Sequence, residues 1–226
     1  MSTSIPVTHT EPRWPGVALL AGAVVTILAE AITASAWNVR PYSYADDYVN
    51  FLGSPFVGTF EGITISSPLW WLMSIAWILS GTLVAAASIA LSRRLNGWRR
   101  RTVAALGVAQ AIALILFAVF PLGPARFDDG TLVLYLIGAF LSIIGGNALA
   151  IVTGLSSTAL GLPRWLGITS IALGSIGLLN IPVTYGWTPT GLAERISLYS
   201  YLLWALVTGV ALIRYPLSSD RLWFSR

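Results

Sequence analysis

The stretch Pro15–Trp37 reads PGVALLAGAVVTILAEAITASAW, an apolar run interrupted by a single carboxylate, Glu30. Crossing a hydrocarbon core of roughly 30 Å takes about 20 apolar residues in a helix, so this run is long enough to span a bilayer. Five further runs meet the criterion: Leu69–Leu91, Thr102–Pro121, Thr131–Leu155, Trp165–Tyr185 and Ile196–Tyr215. They are continuous rather than alternating, which suits helices that satisfy their own backbone hydrogen bonds and excludes a barrel. The sequence predicts an all-α, polytopic fold. A tail over 1–13 precedes a six-helix transmembrane domain over 14–215 with one long loop at 38–68, and a second tail follows at 216–226.

Composition agrees. Mean hydropathy is +0.77, and 56% of residues are hydrophobic against 10% charged, where a soluble domain carries about a quarter charged. Trp14, Trp37, Trp70, Trp71, Trp98, Trp165, Trp187 and Tyr215 fall near segment ends, where amphipathic rings prefer the headgroup layer. All thirteen basic residues are Arg. With the N-terminus inside, ten lie on the cytoplasmic side and three, Arg40, Arg126 and Arg195, on the outer side, which predicts both termini in the cytoplasm. The net charge of +4 is concentrated at helix ends, especially in Ser92–Arg101. Topogenic and anionic-lipid contacts explain it better than nucleic acid does, and membrane lipids are the expected partners. Ala34-Ser35-Ala36 has the small residues of a signal-peptidase site, yet the run before it is long and holds Glu30, so a retained first helix is expected.

The chain has no Cys, and its one His, His9, lies in the polar tail. Bis-histidine haem ligation, a Cys/His zinc site, a cysteine nucleophile and a Ser-His-Asp triad lack their residues. No Gly-rich phosphate loop precedes a helix, and the cytoplasmic loops are too short for a nucleotide domain. No cofactor, metal site or catalytic residue is assigned.

In the long loop, Tyr44, Tyr48, Phe51 and Leu52 recur at helical spacing. Ser43 stands three residues before Asp46 as in a capping box, and Gly53 is placed to end the turn. This predicts a short amphipathic helix over Tyr44–Leu52 on the outer interface, followed by irregular structure over Gly53–Pro68. Small-residue stripes, Gly167, Ser170, Gly174 and Gly177 on the fifth helix and Gly138, Ser142 and Gly145 or Gly146 on the fourth, are expected to pack against each other. A weak parallel repeat of about 65 residues pairs Gly81 with Gly146 and Pro124 with Pro189.

Glu30 is the first residue to explain. A charged carboxylate at helix centre costs on the order of 2.5–3.5 kcal/mol, so it should face the bundle and pair or stay protonated. Gln110, Asn147 and Asn180 are candidate neutral partners. Its role is either proton binding or ligand recognition, or a polar clasp between helices. Arg195 begins the sixth helix, where the dipole disfavours a cation and suits its neighbour Glu194. Glu30, Asp128 or a lipid phosphate would hold it there; an interfacial anchor is the alternative. Arg40, Asp46 and Asp47 complete the candidate ligand-binding set. Adjacent carboxylates on a helix diverge, so Asp46-Asp47 and Asp128-Asp129 imply solvated faces rather than metal ligation.

Several segments together resemble the bacterial six-helix DUF998 family: Tyr42-Ser43-Tyr44 with Tyr48-Val49-Asn50-Phe51-Leu52-Gly53, Pro68 to Gly81, Phe120-Pro121, Gly145-Gly146-Asn147-Ala148-Leu149-Ala150, and Gly191-Leu192-Ala193-Glu194-Arg195-Ile196 with Tyr199 and Trp204. The resemblance implies a six-helix protein of a bacterial cell membrane and singles out Glu194, Arg195 and Asn147. Members often carry a His after the third helix; here Phe127-Asp128-Asp129 has none. Three functions stand open. The first is binding or transport of a lipid or other amphiphile in an outward-facing polar pocket. The second is a non-catalytic subunit or assembly factor, with a membrane-protein partner or a second copy. The third is a carboxylate-dependent enzyme acting on a lipid-linked substrate.

Overall fold

The computed structural model describes residues 13–60, 62–183 and 191–215. Seven α-helices appear among them: α1 (Trp14–Ser35), α2 (Trp70–Ser92), α3 (Gly97–Val119), the four-residue α4 (Ala125–Asp128), α5 (Leu132–Leu155), α6 (Arg164–Leu179) and α7 (Gly191–Arg214). Of these, α1, α2, α3, α5 and α7 are long and apolar enough to cross a membrane. The expected fifth span is shorter: α6 has 16 residues and stops at Leu179. There Asn180 turns its amide to α7, with Pro182 following, and the expected end at Tyr185 lies outside the described residues. Helix α3 begins earlier than expected, at Gly97 rather than Thr102, because the Arg99–Arg101 run forms its polar first turns.

The helices close a ring. Packing runs α1 to α2, α2 to α3, α3 to α5, α5 to α6, α6 to α7 and α7 back to α1, and α5 also touches α7 across the ring. Where α1 meets α7 the backbones nearly touch. A Cβ on Gly16 would lie 2.7 Å from the Gly209 carbonyl oxygen, and one on Gly209 would lie 2.8 Å from that of Gly16.

The expected stripe-to-stripe packing is half correct. Gly167, Gly174 and Gly177 do seat α6 on α5, but against Gly154, Ser157, Ile151 and Asn147. The α5 stripe faces elsewhere: Gly138 abuts Leu116 and Phe117 of α3, and Gly146 abuts Tyr201 of α7. The face of α5 that carries Gly138 and Gly146 closes on α3 and α7, so α6 seats on a different face of the same helix. Of the internal repeat, Pro189 lies outside the described residues.

The long loop differs from expectation. Instead of a helix on the interface over Tyr44–Leu52, a turn leads into a 3-10 helix at Val49–Gly53 whose five residues are all buried. Phe51 and Leu52 point into the bundle, and Gly53 lies under the Trp77 ring with no room for a side chain. Apolar residues at helical spacing marked burial here, not an interfacial face. The segment read as irregular contains a small antiparallel hairpin, β1 (Gly58–Phe60) with β2 (Ile63–Ile65), in register Gly58 to Ile65 and Phe60 to Ile63.

The buried apolar core falls into two clusters. One, near the start of α1 and the end of α7, includes Leu19, Val84, Leu91, Leu149, Leu166 and Trp204. The other lies under the long loop and includes Trp37, Phe51, Leu52, Met73, Trp77 and Phe117. Between them along the helices come Thr26, Glu30, Ser80, Gln110 and Ser142, all buried. A polar layer thus divides the core.

Candidate functional site

Helix α7 enters the bundle beneath the long loop, and its first two turns carry most of the polar structure. Arg195 is 5% exposed and Glu30 1%. The Arg195 Nε donates to Glu30 Oε1 at 2.9 Å, and the Tyr199 hydroxyl, one turn further along α7, donates to Oε2 at 2.8 Å. Both carboxylate oxygens of Glu30 are therefore held from one helix. The pair is charge-assisted and shielded from water, the setting in which such bonds are strongest.

The rest of the guanidinium is spent on the loop. Its Nη1 reaches the carbonyl oxygens of Tyr44 at 2.6 Å, Asp47 at 2.8 Å and Gly191 at 3.1 Å. Its Nη2 donates to the Tyr42 hydroxyl at 2.5 Å, which stands 3.1 Å from the carbonyls of Asp47 and Tyr48. The guanidinium carbon lies 4.8 Å from the Tyr44 ring centre and 5.4 Å from that of Tyr42, within cation–π range. Burial pushes the Tyr42 phenol well above the ordinary tyrosine range, with Arg195 opposing the shift. The phenol is thus a hydrogen-bonding group, not a titrating one.

Residues 42–50 accordingly form a strap across the start of α7. The amides of Gly191 and Leu192, free at a helix N-terminus, are capped by the carbonyls of Asp46 and Ala45 at 3.3 and 2.8 Å. Glu194 Oε2 accepts the Val49 amide at 2.5 Å, tying the 3-10 helix to the same turn. Within the strap Asp47 takes Arg40 through both oxygens and the Ser43 amide at 2.8 Å. Asp46 faces the other way and accepts from the Ser43 hydroxyl at 2.6 Å. The capping-box pair expected from the spacing is present, although no α-helix follows it.

Asn147 and Asn180 do not reach Glu30 as expected; they serve α7 instead. Asn147, fully buried on α5, donates to the Ile143 carbonyl at 2.9 Å and the Ser197 carbonyl at 3.0 Å. Asn180, closing α6, donates to the Ala193 carbonyl at 2.6 Å and the Ser197 hydroxyl at 2.9 Å. The strap, α1, α5 and α6 are thereby all tied to Gly191–Tyr199. Asp128 forms no part of this cluster. Its neighbour Asp129 lies outside, bonded to Arg126 and Thr131, and the Thr131 hydroxyl and amide hold its carboxyl below the usual carboxylate range.

On its other side Glu30 borders a cavity in the polar layer. The space is about 30 Å³, the size of one or two water molecules; its wall is mostly apolar, from Val49, Trp77, Leu114, Leu198 and Leu202, with Thr26, Ser80, Gln110, Tyr199 and Tyr201 completing it. Gln110 Oε1 has no protein partner there. In this arrangement the site holds hydrogen-bonding groups of both signs but has no room for a lipid chain.

The sequence brought out Glu30, Arg195, Glu194, Asn147, Asn180, Arg40, Asp46 and Asp47, and the structure gathers all but Arg40 directly on the start of α7, Asp46 and Asp47 through their backbone carbonyls. Sequence reasoning missed Tyr42, Tyr44 and the strap carbonyls. Tyr199, one helical turn past Arg195, was legible as a same-face neighbour. Backbone acceptors leave no residue-type signal.

No curated protein and no solved structure matches the chain. The model of DUF998, described as a protein of unknown function, matches residues 20–211, a range that takes in the polar layer, the strap and the start of α7. With its long apolar helices, the molecule is an integral, multi-pass membrane protein, and the chain belongs to the DUF998 family.

Proposed function

We propose that this protein binds or transports an amphiphile whose polar group enters from the outer side beneath the strap, with Glu30 and Arg195 as the closed latch of the site. One observation carries the reading: Glu30 belongs both to the ion pair that holds the strap and to the lining of a small, mainly apolar cavity that it shares with Gln110. A purely structural clasp has no need of the cavity or of the unpartnered Gln110 oxygen beside it. Admission of a ligand requires residues 42–50 to lift. A phosphate or carboxylate headgroup fits that step, because it offers Arg195 an acceptor in place of the strap carbonyls. The arginine distribution supports both termini being cytoplasmic, and a bacterial plasma membrane rests on the family resemblance.

The test is native mass spectrometry with lipid extraction on purified wild type, Glu30→Gln and Arg195→Gln, each checked for monodispersity. A defined lipid kept by wild type and lost by Glu30→Gln supports the reading. The same bulk phospholipid in all three samples overturns it.

A second reading has its own observation. Every nitrogen of the Arg195 guanidinium is satisfied within the chain, as in a permanent clasp shaping an outer platform. That fits a non-catalytic subunit or assembly factor of a larger membrane complex. Reproducible co-purification of one membrane protein, with lipid content indifferent to Glu30→Gln, is the result it expects.

A further inference from the structure

At the opposite end of the bundle from the strap, α7 leaves a groove on its outward side between α1 and α6. Its volume is about 310 Å³, with Leu20, Leu206 and Val210 along its length and Trp165, Arg214 and Tyr215 at its end. Trp165 and Tyr215 are half exposed, so the groove is apolar within the bilayer and rimmed by rings and a guanidinium where headgroups lie.

Among the described residues, charge at this end is of one sign. The approach of Gly16 to Gly209 and Leu212 brings the start of α1, with Arg13 just before it, beside the end of α7. Trp165 and Arg214 share the groove, which brings Arg164 at the start of α6 to the same place. Arg93, Arg94, Arg99, Arg100 and Arg101 lie at the ends of α2 and α3 at this same end. Every described carboxylate lies elsewhere: in the polar layer, the strap, the start of α7 or the α4 corner. Arg214 therefore has no acidic neighbour among the described residues, although it terminates a mainly apolar groove.

We infer that this groove is a binding site for an anionic phospholipid. One acyl chain lies along Leu20, Leu206 and Val210, and the phosphate is held by Arg214 with Arg13 and Arg164 close by. Guanidinium forks match phosphate oxygens, and basic pockets between membrane helices select anionic headgroups. The site is separate from the Glu30 latch and does not depend on it.

The experiment titrates delipidated full-length protein in mild detergent with phosphatidylglycerol or phosphatidylethanolamine of identical acyl chains, read by native mass spectrometry. Wild type is expected to bind phosphatidylglycerol at least about fivefold more tightly, the effect of roughly one well-placed arginine. Arg214→Gln should abolish that preference. Val210→Trp should remove the tight adduct by filling the groove while leaving the unfolding temperature unchanged. Glu30→Gln and Arg93→Gln should keep it. Equal binding of the two lipids by wild type, an equal loss with Arg93→Gln as with Arg214→Gln, or a loss confined to Glu30→Gln would each overturn the inference.

Discussion

Glu30 and Arg195 stabilise each other only as a pair. Removing one member of a buried ion pair costs about 3–5 kcal/mol because the other is left charged without a partner. Glu30→Gln and Arg195→Gln should each lower the free energy of unfolding in detergent by an amount of that order. The double variant should be less destabilised than the sum of the two, since contacting residues are not additive; strict additivity would show that the pair is not coupled. Tyr42 makes a prediction about pH. Its phenol is raised by burial, so above about pH 10 an unfolded tyrosine releases a proton that the folded one retains, and stability falls as pH rises. Tyr42→Phe should flatten this alkaline loss of stability relative to wild type, measured from pH 8 to 11. Near neutral pH the same change should cost about 1–3 kcal/mol by stripping Arg195 Nη2 of its acceptor. The importance of Glu30 was legible in the sequence from the expense of a carboxylate in an apolar run. Tyr42 was not, because an aromatic residue near a membrane boundary already has an interfacial explanation.

Helix lengths and most boundaries follow from the apolar runs, and the elements that departed from the sequence did so for local reasons. Helix α6 stops at Leu179, where Asn180 turns its side chain to α7 and Pro182, which has no backbone N–H to give the preceding turn, follows. The strap has helical spacing without an α-helix because the carbonyls of Ala45, Asp46 and Asp47 are taken by α7 and Arg195, leaving them no helical partners. The α6 stripe was readable as a packing surface, but its partner was not, since glycine periodicity reports only that something approaches closely. That partner includes Asn147, whose side chain occupies the position where a Cβ on Gly177 would sit. Gly177→Ala should cost about 1–3 kcal/mol through overpacking, and pairing it with Asn147→Ala should recover part of that loss in the same unfolding assay. No recovery would show that Asn147 is not what opposes the added methyl, since Ala is the better helix former.

Across the molecule, two apolar clusters are separated by a polar layer, and the loop, α1, α5 and α6 all bond to one stretch of α7. Architecture at this scale was visible as a row of hydrophobic segments, whereas the convergence of the loop and α1 on Gly191–Tyr199 depends on contacts between residues more than a hundred positions apart. Arg195, anchored by Glu30, holds the strap closed over the polar layer. Hydrogen–deuterium exchange on wild type and Arg195→Gln in the same detergent tests it most directly. The account predicts faster exchange in residues 42–50 and in the first turn of α7, with the α2–α3 hairpin unchanged. Unaltered exchange in residues 42–50 would contradict it.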